Sequence, residues 1–109
     1  MQAATKIRPE KGRSLSVLIA DDERDTVLML AAILEDERHV VHQVTHGGLV
    51  REAVRRFKPE VCILDIEMPG ESGYSLAEYL SKPDDPNQRP VLIAITGKWK
   101  SQTDKMLAR

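Results

Sequence analysis

The stretch Val61-Cys62-Ile63-Leu64-Asp65-Ile66-Glu67-Met68-Pro69-Gly70 decides how the rest of the chain is read. Its apolar run, Val61 to Leu64, lies between Lys58-Pro59 and Pro69-Gly70. A short apolar run fenced by turn residues reads as a strand buried on both faces. The run delivers an acid, Asp65, at its carboxyl end. A carboxylate in that place is either a turn residue or a site residue. In open α/β sheets ligands bind outside the carboxyl ends of the strands, so the position favours a site.

Leu15-Ser16-Val17-Leu18-Ile19-Ala20 is a second strand of the same make, followed by Asp21-Asp22-Glu23. If the two strands are parallel neighbours, Asp21, Asp22 and Asp65 converge on one small volume. Two like charges about 4 Å apart repel by roughly 4 kcal/mol at an effective dielectric of about 20. Clustered carboxylates therefore raise a pKa or recruit a cation. Oxygen-only ligands suit Mg²⁺, which keeps several waters and takes one or two carboxylates plus phosphate oxygens.

Both acid clusters belong to a wider pattern. Asp65 opens a D-x-x-M-P-G-x-x-G segment, Asp65-Ile66-Glu67-Met68-Pro69-Gly70-Glu71-Ser72-Gly73, and Thr96-Gly97 follows the apolar run Val91-Leu92-Ile93-Ala94-Ile95. With Asp21-Asp22 after the first strand, this set in this order resembles a receiver domain of two-component response regulators. The resemblance covers the chain from about Leu15 onward. It implies a flavodoxin-like, doubly wound parallel sheet with strand order 2-1-3-4. It implies that Asp65 is a phosphoacceptor and that Thr96 is the hydroxyl that senses the phosphoryl group. Mg²⁺ is the implied cofactor, held by Asp22 directly, by Asp21 partly through water, by Asp65, and by the backbone carbonyl of Glu67. A sensor histidine kinase or phosphotransfer protein is the implied partner.

The composition agrees with one soluble globular domain: 109 residues, 41% apolar and 30% charged. The net charge of -1 gives no reason to expect a nucleic acid or a membrane surface as partner. Cys62 is the single cysteine and reads as a small core residue rather than a redox site. No apolar run approaches the roughly 18 residues of a membrane span, and no signal peptide is visible, so a cytoplasmic protein is expected.

In order along the chain, residues 1–14 read as a flexible basic arm with Lys6, Arg8, Lys11 and Arg13 against Glu10. Residues 15–109 read as the domain. Glu23 to Glu37 predicts a helix with Val27, Leu30, Ala31 and Leu34 on one face. Val40 to Val44 predicts a short strand. His39, His42 and His46 lack metal-ligand spacing and are expected at the surface. Gly47-Gly48 turns into a second helix with Leu49, Val50, Ala53, Val54 and Phe57 inside, and Pro59 ends that turn. Ser72 to Ser81 predicts a third helix facing in through Leu76, Ala77 and Leu80. Asp84-Asp85 sits between prolines with no strand before it and reads as a solvated turn. A last helix is expected through Trp99, Thr103, Met106 and Leu107.

A receiver has a fifth strand ending in a lysine, then a fifth helix. This sequence stops at Arg109, so both elements and that lysine are without a match, and the expected domain is incomplete at its C-terminus. Lys98 and Lys100 lie on a different segment. Should the fold end there, the fourth strand is an open edge and the faces of Leu15–Ala20 and Val61–Leu64 are partly bare. A homodimer is then expected to cover them. Two other readings compete with phosphoacceptance. One is a degenerate, non-switching receiver that acts as a protein–protein interaction module. The other is a phosphohydrolase of the haloacid dehalogenase class, whose D-x-D pattern meets Glu67 here and whose nucleophile belongs on the first strand.

Overall fold

The computed structural model describes residues 13–82 and 89–95. Within them the chain alternates strand and helix: β1 (Ser16–Ala20), α1 (Arg24–Asp36), β2 (Val40–Val44), α2 (Val50–Phe57), β3 (Val61–Asp65), α3 (Gly73–Ser81) and β4 (Val91–Ile95). The strands form one sheet in the order β2-β1-β3-β4, every pair parallel. This is the sheet and strand order that the family resemblance implied. The expected basic arm at 1–14, the Asp84-Asp85 turn and the helix around Trp99 lie outside the described residues, apart from Arg13 and Ser14. Arg13 donates to Glu60 at 2.7 Å.

Parallel strands joined by helices need both faces of the sheet covered, and the side chains divide accordingly. On one face Leu18, Ala20, Cys62 and Leu64 pack under Val50 and Ala53 of α2 and Leu76 and Leu80 of α3. On the other, Val17, Ile19 and Ile63 pack under Val27 and Ala31 of α1, with Leu30 and Leu34 at the margin. The helical spacing read from Val27 to Leu34 is thus the face that is buried.

Helix ends follow local chemistry. Ser72 caps α3, its Oγ accepting from the backbone N–H of Tyr74 at 3.1 Å and of Ser75 at 3.4 Å. The helix α2 ends at Lys58, which takes a left-handed φ of 48° just before the buried Pro59.

Some expectations are corrected. Leu49 is exposed rather than inside, because a 3₁₀ turn at Gly47–Leu49 precedes α2 and shifts its phase. On the face of β1 and β3 expected to be partly bare, Val17, Ile19 and Ile63 are buried while Leu15 and Val61 are half-buried. The large exposed apolar residues of the sheet lie on its two outer strands, at Val40 of β2 and at Val91 and Ile93 of β4. Of the histidines expected at the surface, His46 is exposed and His39 and His42 are half-buried. His39 Nδ1 accepts from Leu15 N–H at 3.1 Å, and the His42 ring stacks on Phe57 at 3.7 Å. His46 Nδ1 accepts from Gly48 N–H at 3.0 Å and so caps the 3₁₀ turn.

The packing sets a stability prediction. Leu76 is fully buried between α3 and the sheet, whereas Leu28 on α1 is 54% exposed. Leu76→Ala is expected to cost about 2–5 kcal/mol in denaturant unfolding, and Leu28→Ala under about 0.5 kcal/mol. Equal losses at the two positions would show that α3 is not seated on the sheet as described.

Candidate functional site

The site is built by register. Ala20 of β1 pairs with Leu64 of β3. The next residue on each chain is an acid, so Asp21 and Asp65 emerge side by side at the carboxyl edge of the sheet. The turn after each strand is held in the same way. Asp21 Oδ1 accepts from Glu23 N–H at 2.9 Å, and Asp65 Oδ1 accepts from Glu67 N–H at 2.9 Å. An aspartate bonding the amide two residues on is a self-contained turn, which explains why an acid can end a buried strand and stay ordered. Further bonds fix the two strand ends from outside: Asp21 N–H donates to Val44 O at 3.1 Å, and Ile66 N–H donates to Ile95 O at 3.0 Å.

Asp21, Asp22 and Asp65 each offer a carboxylate oxygen, and these oxygens lie within 4.8 Å of one another. Asp21 is 4% and Asp65 6% exposed, while Asp22 faces solvent. Burial pushes the Asp21 carboxyl up from 3.8 to about 6; the Glu23 amide opposes this, and the neighbouring Asp65 and Asp22 add to it. An all-oxygen set of this kind could hold a hard divalent cation. The Asp21–Asp22–Asp65 cluster expected from the sequence is therefore assembled. Glu67 lies in the turn directly after Asp65. Thr96 lies outside the described residues; it follows Ile95, the register partner of Asp65.

The D-x-x-M-P-G-x-x-G segment has a physical reason at several positions. Met68 is buried in the core beneath α2 and α3. Gly70 has φ +97°, a conformation that residues with a Cβ rarely adopt. Gly73 passes so close to Ile66 that a Cβ would come within 2.2 Å of the Ile66 Cα. Both glycines thus shape the turn that follows Asp65.

The sequence reading missed one feature at this loop. Arg51 of α2 forms a two-pronged ion pair with Glu71, its Nε donating at 2.8 and 3.0 Å to the two carboxylate oxygens. No local signal could have found it, because the partners are 20 residues apart.

A parallel sheet with order 2-1-3-4 and acids at the ends of β1 and β3 defines a doubly wound α/β protein with a carboxylate site at its switch point. The chain belongs to the response regulator receiver domain family, whose model matches residues 17–108. Membership of this signalling family sets aside the dehalogenase alternative. The chain is similar to protein PilH of Pseudomonas aeruginosa, with 34% identity over 83% of this chain and 73% of that one. It is 40% identical to the transcriptional regulatory protein DesR of Bacillus subtilis over 61% of this chain, yet spans only 34% of DesR. Its fold matches the signal receiver domain of a DNA-binding response regulator from Colwellia psychrerythraea at TM-score 0.69, with 24% identity over 77% of this chain and 69% of that one. No helix among the described residues is long and apolar enough to cross a membrane.

The raised Asp21 carboxyl predicts a pH dependence. The folded state holds its proton more tightly than the unfolded chain does. The resulting stabilisation is full below pH 3.8 and is lost as the pH rises through about 6. Asp21→Asn keeps the acceptor for Glu23 N–H and removes the charge. In metal-free buffer it is expected to melt several degrees above the wild type at pH 7, with the gap closing by about pH 4. An Asp21→Asn protein that melts below the wild type at pH 7 would refute this account of the cluster.

Proposed function

We propose that the chain is a phosphoacceptor signalling domain in which Asp65 takes a phosphoryl group from a phosphohistidine on a sensor histidine kinase or phosphotransfer protein. The observation that supports it is the place of Asp65: at the end of a central buried strand, its carboxylate within 4.8 Å of those of Asp21 and Asp22. An Asp65 carboxylate oxygen forms the new bond to phosphorus while the phosphorus–nitrogen bond breaks. The electron pair leaves with the imidazole nitrogen, which then takes a proton. The product is an acyl phosphate. Phosphoryl transfer asks for alignment and charge stabilisation more than for covalent chemistry. The hydrogen bond from Glu67 N–H to Asp65 Oδ1 contributes alignment by fixing the carboxylate's orientation.

The donor set fits Mg²⁺, because its three side-chain donors are carboxylates. Exposed Asp22 would hold the ion directly, Asp21 partly through water, and Asp65 and the Glu67 backbone carbonyl would complete the set. When bound, Mg²⁺ offsets the negative charge gathered by the aspartates and the phosphoryl oxygens. Thr96 is the proposed sensor: its hydroxyl hydrogen-bonds a phosphoryl oxygen and draws in the segment after β4. The added charge is the signal, read through that segment. The chain turns over no substrate other than its own acyl phosphate.

Treatment with acetyl phosphate and Mg²⁺, followed by peptide mass spectrometry, is expected to place one phosphoryl group on Asp65. Asp65→Asn should lose more than about nine-tenths of the label. Calorimetry should find Asp22→Ala weaker for Mg²⁺ by more than about tenfold, beyond the loss of an outer-shell partner. Labelling of Asp65→Asn at the wild-type level would end the phosphoacceptor reading. An unlabelled wild type would instead favour the interaction-module alternative.

A further inference from the structure

The loop between Asp65 and α3 carries Ile66 and Glu67, and it is fastened along its length to the segment that enters α2. Gly47 N–H donates to Pro69 O at 2.8 Å. The His46 ring fills the space beside Gly70, where a Cβ would come within 2.4 Å of its Cε1. The strongest tie is Arg51 to Glu71. Nε donates to both carboxylate oxygens at 2.8 and 3.0 Å, and Nη2 donates to Oε2 as well. Ser75 Oγ donates to the same Oε2 at 2.8 Å, and the guanidinium carbon lies 4.3 Å from the centre of the Tyr79 ring.

Exposed ion pairs usually stabilise little, because two long side chains must be ordered to make them. This one differs in geometry. The guanidinium is held by two carboxylate oxygens on one side and by an aromatic face on the other, which removes most of its freedom. Arg51 and Ser75 hold the Glu71 carboxyl down at about 2, so the pair stays charged across the neutral range. Neither residue belongs to the acid cluster. Arg51 meets the apolar core only through the ring of Tyr79, at its margin. What they join is α2 to the loop that begins at the phosphoacceptor.

We propose that Arg51, acting through Glu71, is a positioning residue for the acid cluster: it pre-orders the loop after Asp65, so that the Glu67 carbonyl and the Asp65 carboxylate are in place before a cation binds. The inference rests on the phosphoacceptor reading and goes beyond it, since it names residues outside the cluster that set its affinity. A loop ordered in advance spares the binding event the cost of ordering it. Glu71→Gln keeps the shape of the side chain and removes its charge; Arg51→Ala removes the other partner.

The full chain is titrated with Mg²⁺ by calorimetry as the wild type, as each single variant and as the double variant. Amide hydrogen exchange of residues 66–71 is followed without metal. Each single variant is expected to bind Mg²⁺ about tenfold more weakly. The double variant should be no weaker than the singles, because the two residues act as one unit. Exchange at 66–71 should quicken while the amides of β1 and β3 stay slow, which also reports that the fold is intact. Singles that bind Mg²⁺ as tightly as the wild type, with unchanged exchange in the loop, overturn the positioning role even where their melting temperature falls. A wild type that neither binds Mg²⁺ nor takes label at Asp65 overturns the phosphoacceptor reading, and this proposal with it.

Discussion

Asp21 and Asp65 stand together because β1 and β3 are parallel and in register, with Ala20 opposite Leu64. Everything at the site depends on that pairing. A slip of one residue would turn the buried set of each strand to the opposite face. The register is held by burial on both faces: Leu18, Ala20, Cys62 and Leu64 under α2 and α3, and Val17, Ile19 and Ile63 under α1. Asp21 and Asp65 at the strand ends are almost fully buried, although a charged group there is costly, while Asp22 faces solvent.

Much of this fold was legible in local sequence. The strands read at Val40–Val44 and Val91–Ile95 have the observed bounds, and the fenced apolar run Val61–Leu64 is one residue short of the observed Val61–Asp65. The inner face of α1 follows from helical spacing. The failures share one cause, since periodicity along a segment carries no information about what lies over it. Leu49 continues the apolar pattern of α2, yet it sits in a 3₁₀ turn whose pitch differs. The face of β1 and β3 under α1 was expected to be partly bare for want of a second helix on that side; Val17, Ile19 and Ile63 are buried there, and Leu15 and Val61 are half-buried.

The candidate site divides in the same way. Asp21, Asp22 and Asp65 could be found because an acid directly after a buried run is a local signal, and the strand order implied by the family resemblance supplied the rest. The supports around them could not. Arg51 and Glu71 sit on different elements, and an arginine in a helix or a glutamate in a loop has many surface explanations. His46 gave no sign of its role, because its partners are the amide of Gly48 and the space above Gly70. The glycines were recognisable only as part of a motif. Their cause, a left-handed φ at Gly70 and the close passage of Gly73 over Ile66, is a property of the folded loop.

The arrangement also limits which charge states the cluster tolerates. Each buried aspartate gives one oxygen to the amide two residues on, and at Asp21 that bond favours the ionised form. At Asp21 this bond loses to burial, and the adjacent carboxylates push in the same direction as burial, so its carboxyl sits near 6. Below that pH a proton relieves the repulsion. Above it the fold must carry like charges in a small volume unless a cation shares them. Tight sealing of the sheet and the crowding of carboxylates at its edge are thus two consequences of one packing arrangement. The same sealing that buries β1 and β3 raises the cost of charge on the Asp21 carboxyl.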